Sequence, residues 1–189
     1  MPLDLPALLR ETGALLTGHF RLSSGLHSPS YVQCARLLEH PRNAKAIGIA
    51  LAEKLRGAGA RKVVSPALGG VIIGYTVAEA LDAPFVFTER KEGAMTLRRG
   101  FRIEPDEPVV IVEDVVTTGK STRETADVVA AQGGRVVAFA SILNRSGKEN
   151  PFDARYELLM TLALETYGAD CPQCAAGVAL DAPGSRYSR

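Results

Sequence analysis

Short apolar runs and longer helix-like repeats alternate along most of the chain. Runs rich in β-branched residues predict strands, and apolar residues spaced three or four positions apart predict helices. The predicted strands are at 62–65, 84–88, 109–112, 135–143 and 156–164, and the predicted helices are at 4–16, 41–55, 71–78 and around 126–130. Residues 18–32 have turn formers at their centre and predict a hairpin outside the main sheet. Strands that alternate with helices indicate an α/β domain with a parallel sheet.

Length and charge bound what the chain can do. Its 189 residues suffice for one well-buried α/β domain with a small subdomain. Because 22 Lys and Arg residues balance 21 Asp and Glu residues, the total charge gives no sign of a nucleic-acid or membrane partner. The chain has no apolar run long enough to span a membrane, and its first residues lack the pattern of a signal peptide. We therefore expect a cytoplasmic enzyme.

The most informative stretch is Val109–Thr122, VVIVEDVVTTGKST. Its four leading apolar residues predict a strand buried on both faces of the sheet. Two carboxylates, Glu113 and Asp114, follow at the C-terminal end, the edge where open α/β sheets bind ligands. The hydroxyl-rich turn that comes next can direct backbone N–H groups and the positive end of a helix at one phosphate. An acidic pair before such a turn indicates a sugar phosphate, with its hydroxyls facing the carboxylates.

The end of this stretch, residues 119–122, also invites comparison with a P-loop. That motif needs a glycine five positions before Gly119, and Asp114 stands there, so this interpretation fails. A plain strand-to-helix connection with a fortuitous acidic pair and a Ser/Thr cap remains the structural alternative.

Three further segments carry candidate chemistry. The turn 66–70 holds two adjacent glycines, which permit close approach of a ligand or simply make a tight connection. Residues 90–102 hold five basic side chains and one acid, which suits a mobile loop that neutralises an anion, or a solvated face. Arg145 follows a predicted buried strand on the same rim as Asp114. It could bind a carboxylate in bidentate fashion, or pair with Glu149.

Three cysteines do not make a disulfide framework in a chain of this length. Cys171 and Cys174 form a C-x-x-C pair, which is half of a structural zinc site, and no second pair follows. A dimer could complete four thiolates across a twofold axis, but we expect ordinary thiols. The sequence thus predicts no side chain as a metal ligand.

The stretch Val109–Thr122 closely resembles the phosphoribosyl-pyrophosphate (PRPP) motif of the type I phosphoribosyltransferases. Nearly the whole chain is similar to the orotate phosphoribosyltransferases within that family. Their N-terminal hood has the pattern F-x-L-x-S-G-x-x-S-P, which is matched at Phe20, Leu22, Ser24, Gly25, Ser28 and Pro29. Their basic loop begins with Arg-Lys, matched by Arg90 and Lys91.

The chain also departs from the family. Lysine is common in the hood and in the glycine turn, and the basic loop usually holds a further Lys and His. The residues at or nearest these positions are Ser23, Gly69, Ala94 and Thr96. Either Arg98 or Arg99 substitutes for the missing loop residues, or the loop works differently.

The resemblance implies a fold and a reaction. The fold is a parallel sheet flanked by helices, as one domain over residues 1–189, with a small hood from about 1–40 and part of the C-terminal tail. The reaction is transfer of the phosphoribosyl group of PRPP to orotate, which gives orotidine 5′-monophosphate and pyrophosphate in de novo pyrimidine (UMP) biosynthesis. Mg²⁺ would bind mainly through PRPP and pyrophosphate, and a homodimer would share the basic loop between its subunits.

The resemblance also implies the site residues. Asp114, Glu113 and Lys91 are expected to be catalytic, and orotate to contact Thr117 and Arg145. The residues expected to bind PRPP are Arg90, Lys91, Glu113, Asp114, Val115, Val116, Thr117, Thr118, Gly119, Lys120 and Ser121.

Two other functions share this fold. A purine phosphoribosyltransferase has no evident use for Arg145 as a carboxylate clamp. A regulatory protein that senses PRPP or binds nucleic acid would be expected to carry a broad basic stripe, which this sequence lacks.

Overall fold

The computed structural model describes residues 3–22 and 24–183, so Ser23 lies outside the described residues. The chain forms two compact units. The first comprises the residues up to Leu5 together with Leu38–Leu162, and the second comprises Pro6–Leu37 and the residues from Ala163 onward. The second unit takes in most of the range expected for the hood. None of the helices in the described residues is long and apolar enough to cross a membrane.

The elements follow one another in this order: α1 (Leu5–Glu11), β1 (Leu15–Arg21), β2 (His27–Val32), α2 (Cys34–Leu38), α3 (Pro41–Leu55), β3 (Lys62–Pro66), α4 (Gly69–Leu81), β4 (Phe85–Lys91), β5 (Ala94–Leu97), β6 (Pro108–Val116), α5 (Lys120–Ala131), β7 (Arg135–Asn144), β8 (Tyr156–Thr161) and α6 (Pro172–Ala175).

The first unit is built on a six-stranded sheet in the order β5-β4-β3-β6-β7-β8. Every strand pair is parallel except β4 and β5. Parallel strands need crossover connections, and α4 and α5 supply them between β3 and β4 and between β6 and β7. Together with α3 these helices pack against the strands. The predicted α/β class with a parallel sheet flanked by helices is confirmed.

The core of the first unit lies at the central strands. Val109, Val110, Ile111 and Val112 of β6 are fully buried, because this strand has a neighbour on each side and helices against the sheet. Toward β8 the core is aromatic, since the rings of Phe139 and Phe152 stack with centroids 4.3 Å apart. Burial on both faces of the sheet explains why the sequence of β6 begins with a nearly continuous run of apolar residues.

The first predicted helix, 4–16, is wrong at its C-terminal end. Helix α1 stops at Glu11, and Gly13 adopts a φ of 61°, which takes the chain out of the helix. Leu15 and Leu16 then belong to β1, where they pair with Val32 and Tyr31 of β2. The leucine spacing fits a helix, but pairing with β2 overrides it.

The segment 90–102, predicted as a loop, begins instead as a β-hairpin. Strand β4 runs on to Lys91, and β5 returns antiparallel to it. The connection is a two-residue turn, in which Glu92 and Gly93 both have positive φ, 52° and 85°. This conformation matches the twist of paired strands, so it favours a hairpin over an open loop.

The second unit is organised around the hairpin of β1 and β2. The C-terminal segment attaches to this hairpin through backbone hydrogen bonds. His27 and Tyr167 exchange N–H···O bonds of 2.9 and 2.8 Å, and the Arg21 N–H donates to the Asp181 carbonyl. The unit therefore joins two stretches that lie far apart in the sequence.

Close packing of α4 on the sheet depends on Gly74. A Cβ atom there would overlap the Ser65 hydroxyl of β3 and lie 2.6 Å from a ring carbon of Phe85. We expect Gly74→Ala to cost about 1–3 kcal/mol through overpacking, which outweighs the up to ~1 kcal/mol that alanine contributes to a helix over glycine. Chemical denaturation measures the loss.

Ser65→Ala combined with Gly74→Ala is the matched control, because it removes the overlapping hydroxyl and should recover part of the stability. A Gly74→Ala protein as stable as the parent would show that α4 can shift freely over β3.

Candidate active site

The carboxyl ends of β3, β4, β6 and β7 meet at one edge of the sheet, and the predicted site residues gather there. The turn 66–70 follows β3, and the acidic pair lies near the end of β6. Val116 of β6 pairs with Asn144 of β7, and the Arg145 N–H donates to the Val116 carbonyl at 2.8 Å. The loop that starts at Arg145 therefore lies directly beside the end of β6, the strand that carries Glu113 and Asp114.

The two carboxylates of β6 have different surroundings. Glu113 is 8% exposed, and its Oε2 accepts a hydrogen bond of 3.2 Å from the Thr122 hydroxyl of α5. Asp114 is only partly buried, and its Oδ1 accepts the N–H of Val115 at 2.8 Å. Glu113 thus joins β6 to α5 through a hydrogen bond, whereas Asp114 is the more exposed of the two acids.

Burial raises the pKa of Glu113 well above its usual value of 4.5, and the neighbouring charge of Asp114 raises it further. Burial also raises the pKa of Asp114, but the Val115 N–H favours its charged form and opposes the shift. The two carboxyls therefore titrate as a coupled pair, and burial favours the protonated form more strongly for Glu113 than for Asp114.

The glycine turn lies directly against Asp114. A Cβ atom on Gly69 would come within 2.7 Å of both carboxylate oxygens, so no side chain fits there in this arrangement. The preceding Leu68 is 88% exposed, and the peptide between Ala67 and Leu68 is cis. A lysine at position 69 would have to displace Asp114.

The turn after β6 has the form of an anion site. Gly119 has a φ of 68° and stands at the N-cap of the twelve-residue helix α5. Thr118 and Lys120 are exposed, and the hydroxyl of Thr118 accepts the Lys120 N–H at 3.3 Å. Thr117 and Ser121 are partly buried beside them. The helix dipole and the first N–H groups of α5 favour a negative ligand at this turn.

The remaining predicted PRPP residues of β6, Val115 and Val116, use their backbone within the fold. The N–H of Val115 serves Asp114, and the carbonyl of Val116 accepts from Arg145. The Val116 side chain is buried in the core. These contacts hold the end of the strand in place.

The basic side chains of residues 90–102, here called the basic hairpin, differ in the ion pairs that they form. Arg90 donates to the Gly93 carbonyl at 2.9 Å and forms an ion pair with Glu124, in the first turns of α5. Arg98 and Arg99 both pair with Glu89, at 3.5 and 3.0 Å. Both candidates for the missing loop residues are thus engaged with one carboxylate of their own hairpin.

Lys91 differs from these arginines. It is exposed at the end of β4, next to the turn of the hairpin, and it takes part in none of the salt bridges found among residues 3–22 and 24–183. The ammonium group of Lys91 is therefore accessible to an incoming anion.

Asn144 is a site residue that sequence reasoning missed. It is fully buried, its Nδ2 donates to the Lys148 carbonyl at 2.8 Å, and its Oδ1 accepts the N–H of Ser146 at 3.0 Å. These bonds shape the loop that carries Arg145. The signal in the sequence is an asparagine at a strand end, a residue type that commonly binds backbone two residues on.

Comparison with known proteins identifies the family. The family described as the phosphoribosyl transferase domain matches residues 33–162. An orotate phosphoribosyltransferase from Carboxydothermus hydrogenoformans is 50% identical over 187 residues, which cover 97% of this chain and 98% of that protein. The chain belongs to the orotate phosphoribosyltransferase family.

Other members are also similar. The orotate phosphoribosyltransferase of Thermotoga maritima is 48% identical over 180 residues, covering 95% of this chain and 96% of that one. A solved structure of orotate phosphoribosyltransferase from Aeropyrum pernix superimposes with a TM-score of 0.69 at 26% identity, over 84% of this chain and 93% of the other. The resemblance carried by the PRPP motif is confirmed at the level of family and fold.

Burial of Glu113 predicts a specific pH dependence. Its raised folded-state pKa means that the folded chain keeps a proton that the unfolded chain loses near its usual pKa of 4.5. Its contribution to stability is therefore full below that pH and is lost as pH rises through the folded-state pKa. As the pH rises from this usual pKa of 4.5 toward the raised folded-state value, the parent should lose unfolding free energy relative to Glu113→Gln, which keeps an acceptor for Thr122.

Urea denaturation of both proteins across this range measures the difference. Glu149→Gln, which changes an exposed carboxylate of the same unit, is the control and should follow the parent. A constant gap between the parent and Glu113→Gln at all pH values would contradict burial of a protonated Glu113.

Proposed function

We propose that this chain transfers the phosphoribosyl group of PRPP to orotate, and that the edge of the sheet at β6 and β7 performs the reaction. The observation that carries the proposal is the arrangement of three groups at this edge. Asp114 and the N-terminal turn of α5 end one strand, and Arg145 follows the adjacent one. A sugar phosphate and a carboxylated base could therefore bind side by side.

In this proposal the 5′-phosphate of PRPP binds the turn Thr117–Ser121 through backbone N–H and hydroxyl groups. Asp114 accepts the ribose 2′- and 3′-hydroxyls. Glu113 was predicted to share that contact, but in the conformation described here its carboxyl is buried and bonded to Thr122. We expect Glu113 to act chiefly by holding β6 and α5 together beneath the bound ribose.

The reaction breaks the bond between ribose C1 and the pyrophosphate oxygen, and joins C1 to a ring nitrogen of orotate, which releases its proton to solvent. Positive charge develops on the sugar as the leaving group departs. The carboxylate of Asp114 favours that charge electrostatically, and cations near the pyrophosphate favour its departure. The protein need not supply a nucleophile, since fixing two substrates in contact removes much of the barrier.

We also propose that Mg²⁺ accompanies PRPP. The acidic pair fits such an ion only in part, because Glu113 favours the protonated form and Asp114 already accepts the Val115 N–H. Phosphate oxygens and water would complete the coordination that Mg²⁺ prefers. When bound, the ion neutralises charge on the pyrophosphate.

A homodimer that shares the basic hairpin is the last part of the proposal. Lys91 is exposed at the tip of this hairpin, which suits a cation delivered to the pyrophosphate of a neighbouring subunit. Arg90 must first leave Glu124 of its own chain to take part. Exchange of the Glu124 carboxylate for a phosphate would keep the guanidinium paired throughout.

Arg145 should select orotate. A bidentate bond from its guanidinium to the orotate carboxylate is worth about 1.5–3 kcal/mol per hydrogen bond. We expect Arg145→Ala to lower kcat/KM for orotate by roughly ten- to a hundred-fold, with little change in the KM for PRPP. Arg145→Lys keeps the charge without the planar fork and should recover only part of the loss.

Steady-state kinetics with each substrate varied in turn measures these effects. Lys148→Ala removes an exposed cation from the same loop and should behave as the parent. Equal weakening of PRPP and orotate by Arg145→Ala would make the residue a phosphate ligand or a structural partner. Thermal stabilisation of the parent by adenine or hypoxanthine, but not by orotate, in the presence of PRPP would overturn the choice of base.

Sharing of the hairpin can be tested by complementation. Asp114→Asn should lower kcat by roughly 10²-fold or more, and Lys91→Ala should also be impaired. If Lys91 acts across subunits, mixing the two proteins should restore up to roughly a quarter of parent activity, because half of randomly paired dimers carry one complete site of two.

Subunits are exchanged by unfolding and refolding the mixed proteins together. The control takes each variant through this treatment alone. Verified exchange of subunits without recovery of activity would mean that Lys91 acts within its own chain.

A further inference from the structure

The second unit brings together four side chains that can bind a metal. His19 lies on β1 and His27 on β2. Cys171 immediately precedes the short helix α6, and Cys174 lies within that helix. Their ligand atoms all lie within 4.8 Å of one another. The histidines are separated from the cysteines by more than a hundred residues of sequence, so only the tertiary structure assembles this cluster.

The spacing of the ligand atoms suits a tetrahedral ion. The Cys171 and Cys174 sulfurs lie 3.5 and 3.6 Å from His19 Nε2, and the Cys174 sulfur lies 3.2 Å from His27 Nδ1. With metal–nitrogen bonds of about 2.0–2.1 Å and metal–sulfur bonds of about 2.3 Å, the edges of a tetrahedron are about 3.3–3.8 Å. Two distances are slightly shorter than these edges: the 3.2 Å between the Cys174 sulfur and His27 Nδ1, and the 3.0 Å between the two imidazole nitrogens.

Surrounding contacts orient the ligands. Nδ1 of His19 lies 2.8 Å from the Val178 carbonyl, which can only accept, so the proton sits on Nδ1 and the lone pair of Nε2 faces the thiols. Gln173, between the cysteines, donates to the Gly18 carbonyl at 2.8 Å. Backbone bonds between His27 and Tyr167 hold the two chain segments in register. Two of the ligands, His19 and Cys171, are only 3% and 2% exposed.

We propose that His19, His27, Cys171 and Cys174 bind one Zn²⁺ ion. Two thiolates and two imidazoles are a donor set typical of zinc, and four protein ligands leave no open position, so the site is structural rather than catalytic. Binding releases the two thiol protons to solvent. The ion then links the C-terminal segment to the β1–β2 hairpin through its ligands. The C-x-x-C pair, which the sequence suggested would be ordinary thiols, is completed within one chain by two histidines.

Stabilisation by a bound metal ion suits the small size of the second unit. It is formed by two short stretches of chain with a hairpin and short helices, so it has little room for a large apolar core of its own. Small units of this kind are commonly stabilised by a metal or by disulfides. This inference concerns the second unit alone and does not depend on the proposed transfer reaction.

The test measures metal in the full-length protein, purified with a reductant and dialysed. We expect one zinc ion per chain by elemental analysis. After removal of zinc, Co²⁺ titration of the parent should saturate at one ion per chain, with the visible bands of tetrahedral cobalt and a thiolate charge-transfer band. Cys174→Ser and His27→Asn should lose the zinc and these bands.

The chain supplies its own matched controls. It has three cysteines and three histidines, and Cys34 and His40 lie outside the cluster. Cys34→Ala and His40→Asn should therefore keep one zinc ion per chain. A strong chelator should lower the Tm of the parent and of both controls, but leave the Tm of Cys174→Ser unchanged, because that variant has no ion to lose.

Two results would overturn the proposal: no zinc and no tetrahedral cobalt spectrum in the parent, or equal zinc content in Cys174→Ser and the parent. Cobalt titration of the parent needs no variant, so the conclusion stands even if one substitution impairs folding. Neither the metal content nor the spectrum requires turnover, so failure of the zinc site and failure of the proposed transferase are separable.

Discussion

The carboxyl of Glu113, buried between β6 and α5, is the constraint on which the site depends. An acid removed from water must be neutral or strongly hydrogen-bonded, and here the Thr122 hydroxyl and a raised pKa meet that need. The contact fixes the start of α5 over the end of β6. Asp114 is less buried than Glu113 and lies close to the turn proposed to bind the 5′-phosphate. Local burial thus gives two adjacent acids different surroundings.

Close backbone packing sets the rest of the edge. Gly69 lies against the Asp114 carboxylate, and Gly74 lets α4 approach β3 without a side chain between them. The same packing leaves no room for a lysine side chain at position 69. In the proposed reaction, Lys91 on the basic hairpin would supply the positive charge at the pyrophosphate.

The two units call for different metal chemistry. At the edge of the sheet, carboxylates together with the phosphate oxygens of PRPP would suit the hard ion that we propose to accompany this substrate. The cluster of His19, His27, Cys171 and Cys174 offers soft sulfur and imidazole ligands. One ion would serve the reaction and the other would hold a small unit together.

The sequence by itself determined the α/β class, the strand of Val109–Val112, the acidic pair and the family, because buried strands and phosphate turns impose strict local patterns. It could not determine that Leu15 and Leu16 pair in a strand, or that residues after Arg90 form a hairpin, since strand pairing overrides local spacing. Only the tertiary structure decided that Glu113 is buried while Asp114 is accessible, and that Asn144 shapes the Arg145 loop. It alone brought two histidines to the C-x-x-C pair, because contacts across more than a hundred residues leave no periodic trace in a single sequence.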